Sequence, residues 1–416
     1  MIVPRSSRHV GARRPATAAL AALALLALPS AAGAADAPPR IQAPAAIAVE
    51  VTTGDVVFAR RADETRPIAS TTKLMTALLV LESGPTDRQM PIPAYSGSAA
   101  ESLANLHAGD RMTVSDVLTG MLLPSGNDAA VALARFVGGS VPRFVERMND
   151  RARQLKLKAR FRNPIGLDAA GHRASPADLV KLTLLLRRYP EFRRIVDRRS
   201  ARLTSASPPI TVVNRNRLVQ SVPWVDGVKT GHTRKAGYAL VGSGRRGGVS
   251  VITVVLGDPS EDARDADSLA LLRYAIGRYH RILALREGAV VARLPLRYRD
   301  EQVQIVAASD VRRVARRDER VTTRVVGLPS DVEGPLAAGT RLGTIEVVQR
   351  GRVVARVPAI TRTAVAQATV WQRADDELGR PIIQFLLVLA ALCAGALAWL
   401  LRRSRRTHGA ADGVVS

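Results

Sequence analysis

The segment Arg66-Pro-Ile-Ala-Ser-Thr-Thr-Lys-Leu-Met-Thr-Ala-Leu-Leu79 begins with a proline and a small polar run, then turns apolar at helical spacing. Pro67 and Ser70-Thr71-Thr72 stand where a helix would start, and Leu74, Met75, Leu78 and Leu79 supply its buried face. On such a helix Ser70 and Lys73 are three residues apart and share a face. A serine hydroxyl is a weak nucleophile until a base lies within hydrogen-bond reach. A lysine becomes that base when burial or a second cation lowers its pKa. The start of a helix also favours the negative charge that develops nearby. Taken alone, Ser-x-x-Lys equally describes a capped surface helix with a solvated lysine.

Composition sharpens the choice. Only six of the 61 basic residues are lysine, so a lysine at position 73 is less arbitrary than in most chains. Arginine could not take its place as a base, because a guanidinium does not deprotonate in proteins.

Upstream of the helix, Ile47 to Val51 and Asp55 to Phe58 flank a Thr53-Gly54 turn and read as a β-hairpin. Residues 36–45 are a leader rich in alanine and proline. Residues 1–34 read as a secretory signal. Arg5, Arg8, Arg13 and Arg14 form its basic start, 16–28 its apolar core, and Ala32-Gly33-Ala34 its cleavage site. That apolar run is too short to span a bilayer.

Downstream, a helical region runs over about 70–200, with helices expected near 115–137, 141–156 and 176–188. Within it Pro124 ends one helical run and Ser125-Gly126-Asn127-Asp128 opens the next. Strand pattern returns at 210–213, 237–241 and 249–256, and an amphipathic helix follows over 265–278. Strands, a helical insert, antiparallel strands and a last helix describe an α/β (α+β) architecture, an antiparallel sheet flanked by helices. This catalytic part is assigned to 36–284. Over 285–372 the pattern becomes short β segments, at 290–294, 303–307, 322–326, 342–348 and 352–358, and describes a smaller β-sandwich domain.

After a linker at 373–380, residues 381–401 form an apolar run long enough to span a bilayer, interrupted only by Gln384. Arg402-Arg403-Ser404-Arg405-Arg406 follows it, and the tail continues to 416. The positive-inside rule places that end in the cytoplasm and everything before Pro381 outside. A single-pass protein of the cytoplasmic membrane is expected, with its catalytic part extracytoplasmic.

The chain carries a formal net charge of +25, and 47% of its residues are hydrophobic. No RNA-recognition, zinc-finger or helix-turn-helix pattern accompanies the charge, so nucleic acid is not an expected partner. The single cysteine, Cys393, allows no intrachain disulfide, and no His-Glu-x-x-His occurs, so neither a metal nor any other cofactor is expected.

Three motifs stand in order: Ser70-Thr71-Thr72-Lys73, then Ser125-Gly126-Asn127, then Lys229-Thr230-Gly231. Each is weak singly; the ordered set is the signature of the penicillin-interacting serine enzymes. Longer strings narrow the group. Ala69 to Thr76, Pro124 to Ala129, Asn163-Pro-Ile-Gly-Leu-Asp168 and Val225 to Thr233, with Ala236-Gly237-Tyr238, resemble the D-alanyl-D-alanine carboxypeptidases, the low-molecular-mass penicillin-binding proteins. The resemblance covers roughly 44–370.

That resemblance implies a serine β-lactamase/transpeptidase-like fold and a peptidoglycan stem peptide ending in D-Ala-D-Ala as substrate. It implies Ser70 as acyl-ester nucleophile, Lys73 as general base and Ser125 as proton relay. Asn127 would hold Lys73 and the substrate amide, and Lys229, Thr230 and Gly231 would line the substrate strand. The backbone N–H groups of Ser70 and His232 would stabilise the oxyanion, and Arg215 would bind the terminal carboxylate with Arg264 in support. A solvated surface position is the competing reading of Arg264. The stretch 161–171 contains Asp168 but no glutamate to activate a deacylating water, so β-lactams are expected to acylate Ser70 and leave slowly, as inhibitors. Two other readings use the same residues: a D,D-endopeptidase that cuts crosslinks, and a catalytically inactive wall-sensing module.

Overall fold

The structure is a computed structural model that describes residues 37–378 and 381–408; the expected export signal lies outside the described residues. Every element below belongs to the unit 39–416. β1 (Ala45–Glu50) and β2 (Val56–Arg60) form the expected hairpin. α1 (Lys73–Glu82) is entered through a 3-10 turn over Ala69–Thr72. A short pair, β3 (Gln89–Pro91) and β4 (Arg111–Thr113), precedes α2 (Val114–Leu122) and α3 (Asn127–Gly138). α4 (Val141–Gln154), α5 (Pro176–Leu186) and α6 (Pro190–Val196) complete the helical insert. β5 (Ser200–Leu203), β6 (Ile210–Val213) and α7 (Arg217–Ser221) lead to β7 (Val225–Thr233), β8 (Gly237–Arg246) and β9 (Val249–Asp258), and α8 (Glu261–Gly277) follows.

Local chemistry sets the helix starts. Thr113 caps α2 by accepting from Asp116 N, and Ser260 caps α8 by accepting from Ala263 N. At α5, Ser175 and Asp178 exchange side-chain and backbone hydrogen bonds in a capping box, with Pro176 in the first turn. Pro124 and Ser125 separate α2 from α3, which keeps Ser125 in a turn instead of a helix.

The central sheet has the order β2-β1-β9-β8-β7, and all its pairs are antiparallel. Side chains alternate across a strand, and here both faces are covered. Ile47, Val49, Ala239, Val241, Ile252 and Val254 face the helices of the insert. Ala46, Ala48, Leu240, Val251 and Val255 face Leu271, Leu272 and Ala275 of α8. That two-sided burial explains why β1 and β9 read as nearly continuous apolar runs.

β10 (Tyr279–Leu285) leaves α8 and pairs with β13 (Val311–Arg316). β11 (Val290–Pro295), β12 (Gln302–Ala307), β14 (Val321–Val326), β15 (Arg341–Gln349) and β16 (Arg352–Thr361) form a second sheet, ordered β11-β12-β16-β15-β14. The two sheets enclose one aliphatic core that includes Leu285, Ile305, Val311, Val347 and Ala359. Five of these seven strands match the sequence expectation; β10 and β13 do not appear in it. β13 reads Val-Arg-Arg-Val-Ala-Arg, and its three arginines hide the alternation.

Arg350, in the β15–β16 turn, ties this domain to the first. Its guanidinium donates to both carboxylate oxygens of Asp55 at 2.6 and 2.5 Å and to Glu319 at 2.9 Å. α9 (Val370–Leu378) and α10 (Pro381–His408) end the described chain. Within α10, Ile382–Arg403 has a mean hydropathy of 2.3 and is long and apolar enough to cross a membrane.

Candidate active site

The 3-10 turn brings Ser70 and Lys73 onto one face, as their spacing requires. Lys73 Nζ lies 3.0 Å from Ser70 Oγ, 2.7 Å from Asn127 Oδ1 and 2.8 Å from Ile165 O. Ser70 Oγ also donates to Ile165 O at 3.3 Å. Lys73 is fully buried. Burial pushes its ammonium down to about 7; Asp128 and Glu101 pull it back up, and Arg215 presses it further down.

The turn that follows α2 supplies Ser125 and Asn127. Ser125 takes a φ of +67°, sparsely populated for a residue with a Cβ. Its Oγ is buried with no hydrogen-bond partner among the described residues. Asn127 starts α3 and accepts from Lys73 through Oδ1, while its Nδ2 donates to Glu101 Oε2 at 2.7 Å. Glu101 comes from the segment between β3 and β4 and also accepts from Tyr95 Oη and, at 3.0 Å, from Ser98 N. Asp128 holds that segment from beneath by accepting from Ala104 N and Leu106 N.

The loop 161–171 contributes a backbone carbonyl to the cleft. Asn163 Oδ1 accepts from Ile165 N and Gly166 N, and Thr76 Oγ1 donates to Pro164 O at 2.7 Å. Those bonds aim Ile165 O at Ser70 and Lys73. Gly166 has φ +94°, and a Cβ there would fall 2.0 Å from Ala69 O, so only glycine lets the loop come this close. His172 fastens the loop to the helix start: it accepts from Arg162 N through Nδ1, so its Nε2–H donates to Thr72 Oγ1 at 2.6 Å. Burial lowers its imidazolium to about 4 and keeps the ring neutral. Asp168 accepts from Thr233 Oγ1 and Lys235 N, so its carboxylate is turned onto the β7–β8 hairpin.

β7 forms one edge of the sheet and passes over the Ser70 turn. A Cβ on Gly231 would stand 3.1 Å from Ile68 O and Ser70 N, so the glycine permits the close approach that its position in Lys-Thr-Gly suggested. Lys229 and Thr230 are buried beside it, and Lys229 Nζ donates to Thr230 O at 3.0 Å. Burial lowers the Lys229 ammonium well below its ordinary value, and Lys73, Arg215 and Arg264 add to the effect. His232 is exposed and stacks on Tyr238 at 4.0 Å. Arg215 N donates to Leu123 O at 3.0 Å, which holds this residue against the α2–α3 turn. Its side chain is exposed, and no carboxylate pairs with it among the described residues. Arg264 differs from both sequence readings. It is 2% exposed and donates to Asp265 and Glu261 on its own helix, so it is neither solvated nor free for a ligand.

The sequence-predicted residues Ser70, Lys73, Asn127, Lys229, Thr230 and Gly231 thus converge, with Ser125 and Arg215 joined to the same turn. Sequence reasoning missed Glu101, Tyr95, His172 and the Ile165 carbonyl. Asn163 and Asp168 stood in a quoted string and were the available signal for that loop.

Among the described residues, the Lys73 amine is the one titratable group hydrogen-bonded to Ser70 Oγ. A serine served by a lysine, beneath the edge of a five-stranded antiparallel sheet, defines the penicillin-interacting serine enzymes as the class. The chain belongs to the D-alanyl-D-alanine carboxypeptidase family, whose model matches residues 32–260. A second model, the C-terminal domain of penicillin-binding protein 5, matches residues 279–367. The D-alanyl-D-alanine carboxypeptidase DacD of Escherichia coli is 32% identical over 359 residues, covering 82% of this chain and 91% of that protein. Among solved structures, penicillin-binding protein 5 of Haemophilus influenzae aligns with a TM-score of 0.57 at 28% identity, covering 80% of this chain and 99% of that one. The Streptomyces K15 DD-transpeptidase aligns at 0.55 with 32% identity, covering 58% of this chain and 99% of its own.

Proposed function

We propose that this chain is a membrane-anchored serine D-Ala-D-Ala carboxypeptidase that removes the terminal D-alanine from peptidoglycan stem peptides through an ester on Ser70. The observation that carries the reading is the setting of Lys73 Nζ: fully buried, with two carbonyl acceptors at 2.7 and 2.8 Å and the nucleophile at 3.0 Å. A neutral amine has two N–H bonds and one lone pair. Asn127 Oδ1 and Ile165 O take the two hydrogens, and the lone pair is left for the Ser70 proton once that hydroxyl turns from Ile165 O toward Nζ.

The stem peptide lies along the free edge of β7, where Gly231 gives it room. Ser70 Oγ attacks the carbonyl between the last two D-alanines as its proton passes to Lys73. The backbone N–H groups of Ser70 and His232 receive the developing oxyanion. Ser125 passes the proton to the departing amine; its unpartnered Oγ is what such a relay needs before substrate arrives. D-alanine leaves, and water hydrolyses the ester. Arg215, exposed and with no carboxylate partner among the described residues, receives the substrate's terminal carboxylate with Thr230. Lys229, buried beside Lys73, opposes a second positive charge in the site and so favours the neutral form of the base.

The anchor is the apolar stretch 381–401 of α10, with the arginines at the end of that helix in the cytoplasm and the cleft outside. β-Lactams enter the same ester-forming step and leave slowly, because Asp168 is engaged by the β7–β8 hairpin and no glutamate stands in 161–171 to activate water.

Incubation with a synthetic Lys-D-Ala-D-Ala peptide should release free D-alanine, and mass spectrometry should map a penicillin adduct to Ser70. Cleavage of crosslinked dimers without release of D-alanine would instead mark an endopeptidase. No adduct at all would mark an inactive module.

A further inference from the structure

Asn127 is gripped from two sides by groups of opposite character. Its Oδ1 accepts from the Lys73 amine at 2.7 Å, and its Nδ2 donates to the Glu101 carboxylate at 2.7 Å. An amide can satisfy a donor on one side and an acceptor on the other in only one orientation. Flipped, it would set oxygen against carboxylate and NH₂ against amine.

Glu101 is itself well held. Tyr95 Oη and Ser98 N donate to it, and although burial raises its pKa, the hydrogen bonds from Tyr95, Asn127 and Ser98 together outweigh burial and lower it, so it is a carboxylate at neutral pH. It takes one hydrogen of the Asn127 amide.

We infer that Glu101 is a positioning residue for acylation: it locks the Asn127 amide with Oδ1 toward Lys73 and places a carboxylate one side chain away from that base. The inference rests on the serine-acylation reading of the site. Four charged groups face Lys73: Glu101 from the β3–β4 segment, Asp128 from α3, Arg215 from the turn before α7, and Lys229 from β7. Of the two acids, Asp128 is occupied by backbone N–H groups of 104 and 106, so Glu101 is the one linked to Lys73 through a single amide.

The test measures the second-order rate of acylation by a fluorescent penicillin across about pH 5 to 9, with thermal unfolding followed in parallel. Glu101→Gln keeps the shape but removes the charge and lets the Asn127 amide turn. It should lower the plateau rate roughly 10- to 100-fold, the scale of a misplaced reactive group. Its acid limb should also move to lower pH, because loss of a neighbouring anion disfavours the Lys73 ammonium. Glu101→Asp keeps the charge on a shorter arm and should hold the limb near the wild-type position while recovering part of the rate.

A limb that stays in place in Glu101→Gln overturns the inference, whether the rate falls or not; so does Glu101→Asp matching Glu101→Gln in both measures. If wild-type protein takes up no penicillin, it is the acylation reading that fails, so the two failures are told apart.

Discussion

The floor of the cleft and the core of the C-terminal β domain are both buried, but the first holds two lysines and the second is aliphatic. Lys73 and Lys229 are buried among Thr71, Thr72, Ser125 and Asn127. Removing an ammonium from water costs several kcal/mol, and the group responds by giving up its proton. In the β domain, the buried carboxylate Glu346 instead sits between the guanidinium groups of Arg324 and Arg356, and Gln349 donates to Val314 O. Those two polar side chains are paired, and the interior is Ile, Val, Leu and Ala. In the cleft, among the described residues, the Ser125 hydroxyl has no hydrogen-bond partner, and burial pushes the Lys73 ammonium down to about 7. A fold tolerates such local violations where chemistry repays them, and that separates a working interior from a supporting one.

Substitutions break the comparison in different ways. Lys73→Arg keeps the charge but removes the base, and acylation by penicillin should fall roughly 100- to 10,000-fold in stopped-flow labelling. Full activity in that variant would end the general-base assignment.

The wild-type acid limb comes next. With Lys73 titrating at about 7, acylation should decline about tenfold per pH unit below that value and level off above it, the apparent pKa belonging to the Lys73–Lys229 pair. The same depression affects stability. Between about 7 and the ordinary lysine value the unfolded chain binds the extra proton, so stability from this group rises with pH across that window and is lowest below it.

Ile345→Ala opens a cavity in the β-domain core and should cost about 2–5 kcal/mol in denaturant unfolding of that domain. The acylation rate should stay unchanged. A matching loss of acylation would show that the two interiors are not separable.

The smallest effect is at the junction. Asp55 is held at about 2, first by its hydrogen bond from Arg350, against burial and with help from Tyr279. Its contribution is present above the unfolded value of about 4 and is lost as pH falls toward 2. Asp55→Asn should cost about 1 kcal/mol at neutral pH and flatten the acid dependence of unfolding in that window.

Legibility in the sequence followed the same division. The three motifs could be read because each fixes side chains at short range: a helix turn joins Ser70 to Lys73, and one tight turn joins Ser125 to Asn127. The β1–β2 hairpin and the apolar run of α10 were legible for the same reason. Glu101 was not, since it ends a stretch of small residues, Ser96 to Ala100, with no periodicity to mark it. A carbonyl such as Ile165 O leaves no trace in residue type at all. Arg264 was misjudged because its environment is set by packing; the Glu261–Arg264 spacing on one helix was the available hint. β10 escaped notice because α8 passes into it across the single residue Arg278, and the polar His280 and Arg281 obscure its strand pattern.

By itself, the order of residues determined the chemistry on offer: a hydroxyl and an amine one helical turn apart, a turn that presents a second hydroxyl, a Lys-Thr-Gly strand, and an apolar segment long enough to cross a membrane. Only the tertiary structure decided the protonation of that amine. Its proton affinity depends on exclusion of water and on charges brought from Glu101, Asp128, Arg215 and Lys229, which lie 28 to 156 positions away along the chain. Electrostatic energy depends on distance and dielectric, and neither is written in sequence separation.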